Sequence, residues 1–381
     1  MARGEARRDE STGTVDVLKK LIAVLASWAV AVAVGFGVFA GAGCGERADG
    51  ATAHGGAFRV VRVFGELGKN PGQFNYPRCL DVADGSAWVI DKSARVQRLD
   101  AATGTGRSEW KMPESSLGKP CGITIGPGPA VGGSADKAVW IADTHCNRVV
   151  VYAMPGGLGE VPRQIASVGK YGTGPGEFIY PTDVAIMPTQ DGKRAARVYV
   201  SEYGDNDRVS VFDGELRYLF SFGAFGSGGG ADGTVEFNRP QAMAIDVKRG
   251  RLVVTDACNH RVGVFDLEGQ LKWWIGSPEA AGAGASEMLY PYGVALLPDG
   301  TALVAEFGNH RINHVDLDGK RSVGTIGKPG RGPGELTNPW GMAVSGNEVY
   351  VLDSGNERVQ VMAMPMPIRP AARARAEGRG G

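Results

Sequence analysis

From residue 58 onward the chain alternates short apolar runs with polar turns, and the alternation follows one plan six times. Each unit has two or three β-forming residues, an acidic residue, a polar loop, then an arginine and a second run of β-formers. The copies are WVIDKSARVQRL from Trp88, WIADTHCNRVVVY from Trp140, YVSEYGDNDRVSVF from Tyr199, LVVTDACNHRVGVF from Leu252, LVAEFGNHRINHV from Leu303 and YVLDSGNERVQVM from Tyr350. Their arginines, Arg95, Arg148, Arg208, Arg261, Arg311 and Arg358, fall 53, 60, 53, 50 and 47 residues apart. Runs rich in valine, isoleucine, tyrosine and tryptophan and bounded by glycine, asparagine and aspartate read as strands joined by turns. Repetition at this period indicates a propeller or solenoid of stacked units.

Two more phrases order the strands within each unit. A proline followed by apolar alternation precedes every copy, at Pro77, Pro120, Pro181, Pro240, Pro291 and Pro339, as in YPTDVAI and NPWGMAV. Proline fits there because the first residue of a strand need not donate to a ladder. Glycine-rich stretches such as GKYGTGPGEF and GKPGRGPGEL lead into several of these prolines, and the 59 glycines, about twice the usual share, suit a chain of tight turns. Outer strands follow five of the arginine strands, beginning at Ser108, Gln164, Arg217, Leu271 and Arg321. The sixth is absent at its own end, because the prolines and small residues after Met362 cannot supply it. Phe58 to Gly65, FRVVRVFG, precedes the first proline phrase as the other outer strands precede theirs. Residues 58–64 are therefore expected to pair with Val359 to Met362, closing a ring and covering two sheet edges.

Taken together, these phrases resemble NHL repeats, and the resemblance covers about Phe58 to Met362. It implies an all-β fold, a six-bladed β-propeller of four-stranded antiparallel blades occupying residues 58–363. WD40 repeats fit less well, since no Gly-His to Trp-Asp pairing occurs. One enzyme with a similar propeller, the lyase half of peptidylglycine amidating enzymes, carries zinc on histidines directly after the first-strand prolines. Here those places hold Arg78, Cys121, Thr182, Gln241, Tyr292 and Trp340, so that zinc site does not carry over. DTHCN, Asp143 to Asn147, is similar to a cysteine-bearing loop of that lyase but is too short to argue activity.

The N-terminal region follows a different pattern. Leu21 to Gly43 is 23 residues without a charge, about 34 Å as a helix, enough to cross a bilayer. Lys19 and Lys20 precede it, which leaves residues 1–20 in the cytoplasm, residues 44–57 as a linker and the propeller outside. A retained transmembrane anchor, a cleaved signal peptide and a lipoprotein with Cys44 as its acylated residue are the three readings, and all imply export. Residues 364–381, with four arginines, read as a disordered tail.

Charge and chemistry narrow the function. The 41 basic and 41 acidic residues cancel, so the chain has no electrostatic footprint for nucleic acid. The recurring acids Asp91, Asp143, Glu202, Asp256, Glu306 and Asp353 stand four to six residues before the arginines, the spacing of a turn stitched by side-chain hydrogen bonds. His145, His260 and His310 share one loop type but not one point in space, so no metal and no cofactor are implied. Cys121 and Cys146 fall on the same rim of blade two and are candidates for a disulfide, which export permits. No nucleophile elbow, phosphate loop, CxxC or HExxH pattern occurs.

In a propeller the innermost strands begin at the axis, so residues just after the six prolines converge. Arg78, Asp183, Gln241, Tyr292 and Trp340 are the candidate binding residues, differing from blade to blade while the scaffold positions repeat. The reading is a membrane-tethered, extracytoplasmic platform for a protein or small-molecule ligand. The alternative is a propeller enzyme of the lyase or lactone-hydrolase type, for which titratable groups or a metal would have to meet at the axis.

Overall fold

A computed structural model describes residues 58–131, 136–156, 160–230 and 234–365. They form six four-stranded antiparallel sheets in chain order. Blade one comprises Pro77–Ala83, Ser86–Asp91, Arg95–Asp100 and Gly106–Lys111, and blade two Gly122–Pro127, Lys137–Asp143, Arg148–Ala153 and Gln164–Val168. Blade three runs Tyr180–Pro188, Ala195–Tyr203, Arg208–Asp213 and Tyr218–Phe222, and blade four Pro240–Asp246, Arg251–Asp256, Arg261–Asp266 and Leu271–Gly276. Blade five is Pro291–Leu296, Ala302–Glu306, Arg311–Asp316 and Arg321–Ile326. Blade six takes Pro339–Ser345, Glu348–Asp353 and Arg358–Ala363 from the end of the propeller and Arg59–Phe64 from its start. The innermost strands lie side by side around an axis, and that of blade six packs on that of blade one. The all-β, six-bladed expectation holds. The apolar run 21–43, its flanks and the tail from residue 366 lie outside the described residues; among those described, no helix is long and apolar enough to cross a membrane.

Burial explains the sequence pattern. Second strands such as Ser86–Asp91 and Arg251–Asp256 are buried along their whole length, because both sheet faces pack on neighbouring blades. The apolar core is therefore divided into layers between blades. One joins Leu80, Val89 and Leu99 of blade one to Tyr350, Leu352 and Val361 of blade six. Glycines punctuate the passage from each outer strand to the next blade: Gly223 has φ +100°, and a Cβ there would lie 2.5 Å from Phe237.

The ring closes as expected. Arg59 pairs with Ala363 and Phe64 with Val359, with a bulge between Val60 and Arg62. Arg62 donates from both terminal nitrogens to the Glu348 carboxylate, at 2.8 and 2.5 Å.

The recurring acid and arginine form one staple in every blade. Nitrogen-to-oxygen distances are 3.0 Å for Asp91–Arg95, 3.0 Å for Asp143–Arg148 and 2.8 Å for Glu202–Arg208. They are 2.8 Å for Asp256–Arg261, 3.1 Å for Glu306–Arg311 and 2.7 Å for Asp353–Arg358. In five blades the carboxylate also accepts the backbone N–H two residues before the proline: Asn75, Ile179, Asn238, Leu289 and Thr337. The guanidinium meanwhile donates to carbonyls of the preceding glycine-rich stretch, as Arg358 does to Gly332 and Glu335 at 2.9 and 3.0 Å. Blade two lacks a glycine-rich stretch of this kind before Pro120, and there Arg148 reaches Glu114 at 3.5 Å instead.

Cys121 and Cys146 are not bridged. Cys121 is buried at the axis, where its thiol donates to the Lys119 carbonyl at 3.4 Å. Cys146 lies in a short 3-10 turn, Thr144–Cys146, directly after Asp143; burial and the nearby Asp143 carboxylate push the pKa of its thiol up to about 12. The two side chains are engaged by different partners, so a shared rim did not make them a pair.

Candidate functional site

In five blades the proline of the first strand is paired, but the ladder breaks directly after it. In blades one, three and four the ladder skips the residue after the proline, and in blades five and six it skips two. Such a bulge re-aims the extra side chain. Here it sends Arg78, Gln241, Tyr292 and Trp340 into an axial channel of about 390 Å³, and Cys121 enters from blade two. Asp183 also lines this channel but lies one layer deeper, because Thr182 follows Pro181 and is fully buried, donating to the Pro240 carbonyl at 2.6 Å.

At the mouth the aromatic rings form one cluster. Tyr292 stacks on Phe307 at 4.6 Å and meets Trp340 edge-on at 4.8 Å, and Tyr76 meets Trp340 at 6.1 Å. Two guanidiniums lie over these rings. Arg78 is 5.2 Å from Trp340, while Arg239 is 5.0 Å from Tyr203 and 5.3 Å from Tyr292. Arg239 Nε donates to Gln241 Oε1 at 3.0 Å, and among the described residues the hydrogen bonds of Arg78 are long, 3.4 Å to the Lys119 carbonyl and 3.7 Å to the Cys121 sulfur.

Four members of this cluster escaped the sequence reading. Tyr76 and Arg239 immediately precede a proline, and Tyr203 and Phe307 immediately follow a staple acid. Tyr76 and Arg239 reach the mouth because their backbones are left-handed, at φ 51° and 64°, as are Tyr290 and Asn338 at 49° and 48°. That conformation is held by the preceding blade around the ring. The Tyr76 N–H donates to Glu357 and that of Arg239 to Asp207, each at 2.5 Å. The N–H groups of Tyr290 and Asn338 donate to Nδ1 of His260 and His310, at 3.2 and 2.9 Å. Burial lowers the pKa of both histidines, which favours the neutral ring that can accept. These histidines thus link neighbouring blades. Among the described residues no three His, Cys, Asp or Glu side chains come together to hold a metal.

Below the mouth, two carboxylates join neighbouring blades. Asp81 accepts the Ile125 N–H at 2.6 Å, and Asp183 accepts the Met243 N–H at 2.8 Å. Burial raises Asp81 to about 6 and Asp183 to about 7 against the pull of those amides. For Asp183 the folded value exceeds the unfolded one, about 3.9. Its protonated form is therefore stabilising, fully so below about pH 4, and that contribution is lost as the pH rises through about 7. Asp183→Asn keeps an acceptor for Met243 and has no charge to bury. The melting temperature of this variant minus that of the parent is expected to rise between pH 5 and pH 8, and a flat difference would show that Asp183 is ordinarily ionised.

The NHL repeat family profile matches residues 237–265 and 336–362, parts of blades four and six. Over 172 residues the chain is 30% identical to the human E3 ubiquitin-protein ligase NHLRC1, covering 45% of this chain and 37% of that one. It is 32% identical over 126 residues to human NHL repeat-containing protein 2, covering 29% of this chain and 17% of the relative. The chain thus spans well under half the length of these relatives. A solved structure from Bacteroides thetaiotaomicron, a structural genomics protein of unknown function, superposes with a TM-score of 0.58 at 13% identity, over 81% of this chain and 76% of that one. At that identity the likeness concerns the fold alone.

Proposed function

We propose that this six-bladed propeller, which carries NHL repeats, is a binding platform whose working surface is the axial mouth around Arg78, Gln241, Tyr292 and Trp340. NHL propellers commonly serve protein interaction, so the partner is a protein. The observation that carries the reading is the aromatic and guanidinium cluster, which differs in every blade while the staples beneath it repeat. Aromatic rings and arginines are the residue types that dominate binding energy at interfaces. Asp183 supports the platform from below. The uncharged run 21–43 would tether the propeller to a membrane and place the mouth outside the cytoplasm.

The test uses the full chain in its own membranes. A partner captured by cross-linking should be recovered less well with Arg78→Ala or Trp340→Ala, each weakening binding by about 1 to 4 kcal/mol. Trp340 is 7% exposed, so its truncation should also lower the melting temperature, whereas Arg78→Ala should not. Lys193, exposed at the opposite end of blade three, serves as the control. Recovery unaffected by either mouth variant and abolished by Lys193→Ala would put the platform on the other face. Release of the chain from membranes by high salt alone would remove the tether.

A further inference from the structure

We infer that the mouth of the channel is an oxyanion pocket, built to take a carboxylate presented by an acidic segment of the partner. The inference rests on the platform reading and names the chemistry that the platform recognises.

The signal is a pair of guanidiniums without a carboxylate, set among buried donors without an acceptor. Each of the six staple arginines has a carboxylate within 3.1 Å. Among the described residues Arg78 and Arg239 have no such ion pair, although both sit in the mouth against aromatic rings. Their neighbours show the same imbalance. Among the described residues, Arg78 Nε, Gln241 Nε2 and Trp340 Nε1 are buried donors that meet no acceptor. Gln241 is 2% exposed, and its amide has a defined orientation, since Oε1 is occupied by Arg239 Nε and Nε2 is the free end. Buried donors are normally satisfied, so a group of them around one opening points to an acceptor that arrives from outside.

The nearby carboxylates do not fill this role, because each is already held by backbone. Asp207 accepts the N–H groups of Arg239 and Gly204, Glu357 accepts that of Tyr76, and Asp183 lies a layer deeper on Met243. A guanidinium lying over a ring uses its face for the contact and keeps N–H edges available, which is the geometry that receives a planar carboxylate. Tyr292, Phe307 and Trp340 add apolar wall. They would cover the methylenes of a glutamate or aspartate side chain, and they offer little to the additional oxygens of a phosphate.

The test needs no identified partner. In the full chain labelled with ¹⁵N at arginine and tryptophan side chains, the Nε–H signals of Arg78 and Arg239 and the indole N–H signal of Trp340 are followed while N-acetyl-Glu-Glu-amide is added. Saturable shifts of these signals are expected, together with a response to acetate and none to the isosteric N-acetyl-Gln-Gln-amide. Arg78→Gln and Arg239→Gln should each weaken the peptide response by about tenfold or more, since one charge-assisted hydrogen bond is lost. Arg239→Lys should retain part of it, which separates loss of charge from loss of folding. Equal shifts with the glutamine peptide, or no shift with any carboxylate, would overturn the assignment. Saturation by inorganic phosphate alone would replace the carboxylate with a phosphate group. If the carboxylate response is absent while a captured partner is still lost in Arg78→Ala, the platform stands and the oxyanion falls.

Discussion

A chain lacking residues 58–64 is expected to lose the cooperative unfolding transition of the propeller, or to retain it at a melting temperature lower by tens of degrees. Those residues supply the outer strand of blade six, which pairs from Arg59–Ala363 to Phe64–Val359. Val61 and Phe64 also pack into the layer between blades one and six, and Phe58 and Val60 into that between blades five and six. Removing four apolar side chains from two layers costs about 5 kcal/mol or more, which is within the whole stability margin of an ordinary domain. It also exposes the edge of Arg358–Ala363 to pairing with other chains. Arg62→Ala should do far less, because Arg62 and Glu348 are about a third exposed, at 29% and 31%, and such pairs contribute about 1 kcal/mol at most. Calorimetry of the two variants checks the ranking, and equal melting temperatures for the truncated and intact chains would refute the closure.

The second large effect belongs to a staple. Asp256 is fully buried and accepts from Arg261 Nε at 2.8 Å, from Asn259 at 2.8 Å and from the Asn238 N–H at 2.7 Å. Arg261 is itself buried, lies 3.8 Å from the Trp274 ring centre and donates to the Ser227, Gly228 and Glu236 carbonyls. Asp256→Ala leaves that cation without a counter-charge and three donors without their acceptor, a loss of about 3 to 5 kcal/mol. The exposed pair Arg217–Asp213 provides the contrast: Arg217 is 71% exposed, and Asp213→Ala should stay within about 1 kcal/mol. Denaturant unfolding of both variants decides the matter, and similar midpoints would mean that the six staples mark repetition without stabilising it.

Much of this architecture can be read from the chain because its residues answer to local rules. A proline that cannot donate, an acid four to six residues before an arginine, and a valine-rich strand stranded at the wrong end each have one place in a closed ring. The mouth was legible only in part. Arg78, Gln241, Tyr292 and Trp340 follow directly from the position after the proline, whereas Arg239 and Tyr76 depend on a left-handed backbone that a bulky residue adopts only when another blade holds its N–H. No property of Arg239 itself announces this. The pairing proposed for Cys121 and Cys146 failed for a related reason: position in a blade gives the rim, and the direction of a thiol is set by neighbours from other parts of the chain.

The closing ladder also determines how the molecule responds to tension. Arg59 and Ala363 are opposite one another, so the two ends of the propeller leave from the same end of one antiparallel pair. A pull between them loads the hydrogen bonds one rung at a time, from Arg59–Ala363 toward Phe64–Val359, and the strands peel apart instead of sliding past each other. Blades one to five take all four strands from contiguous chain and carry no such seam. Under force the ring therefore has one designated opening, in blade six, and it yields there before any other blade is strained.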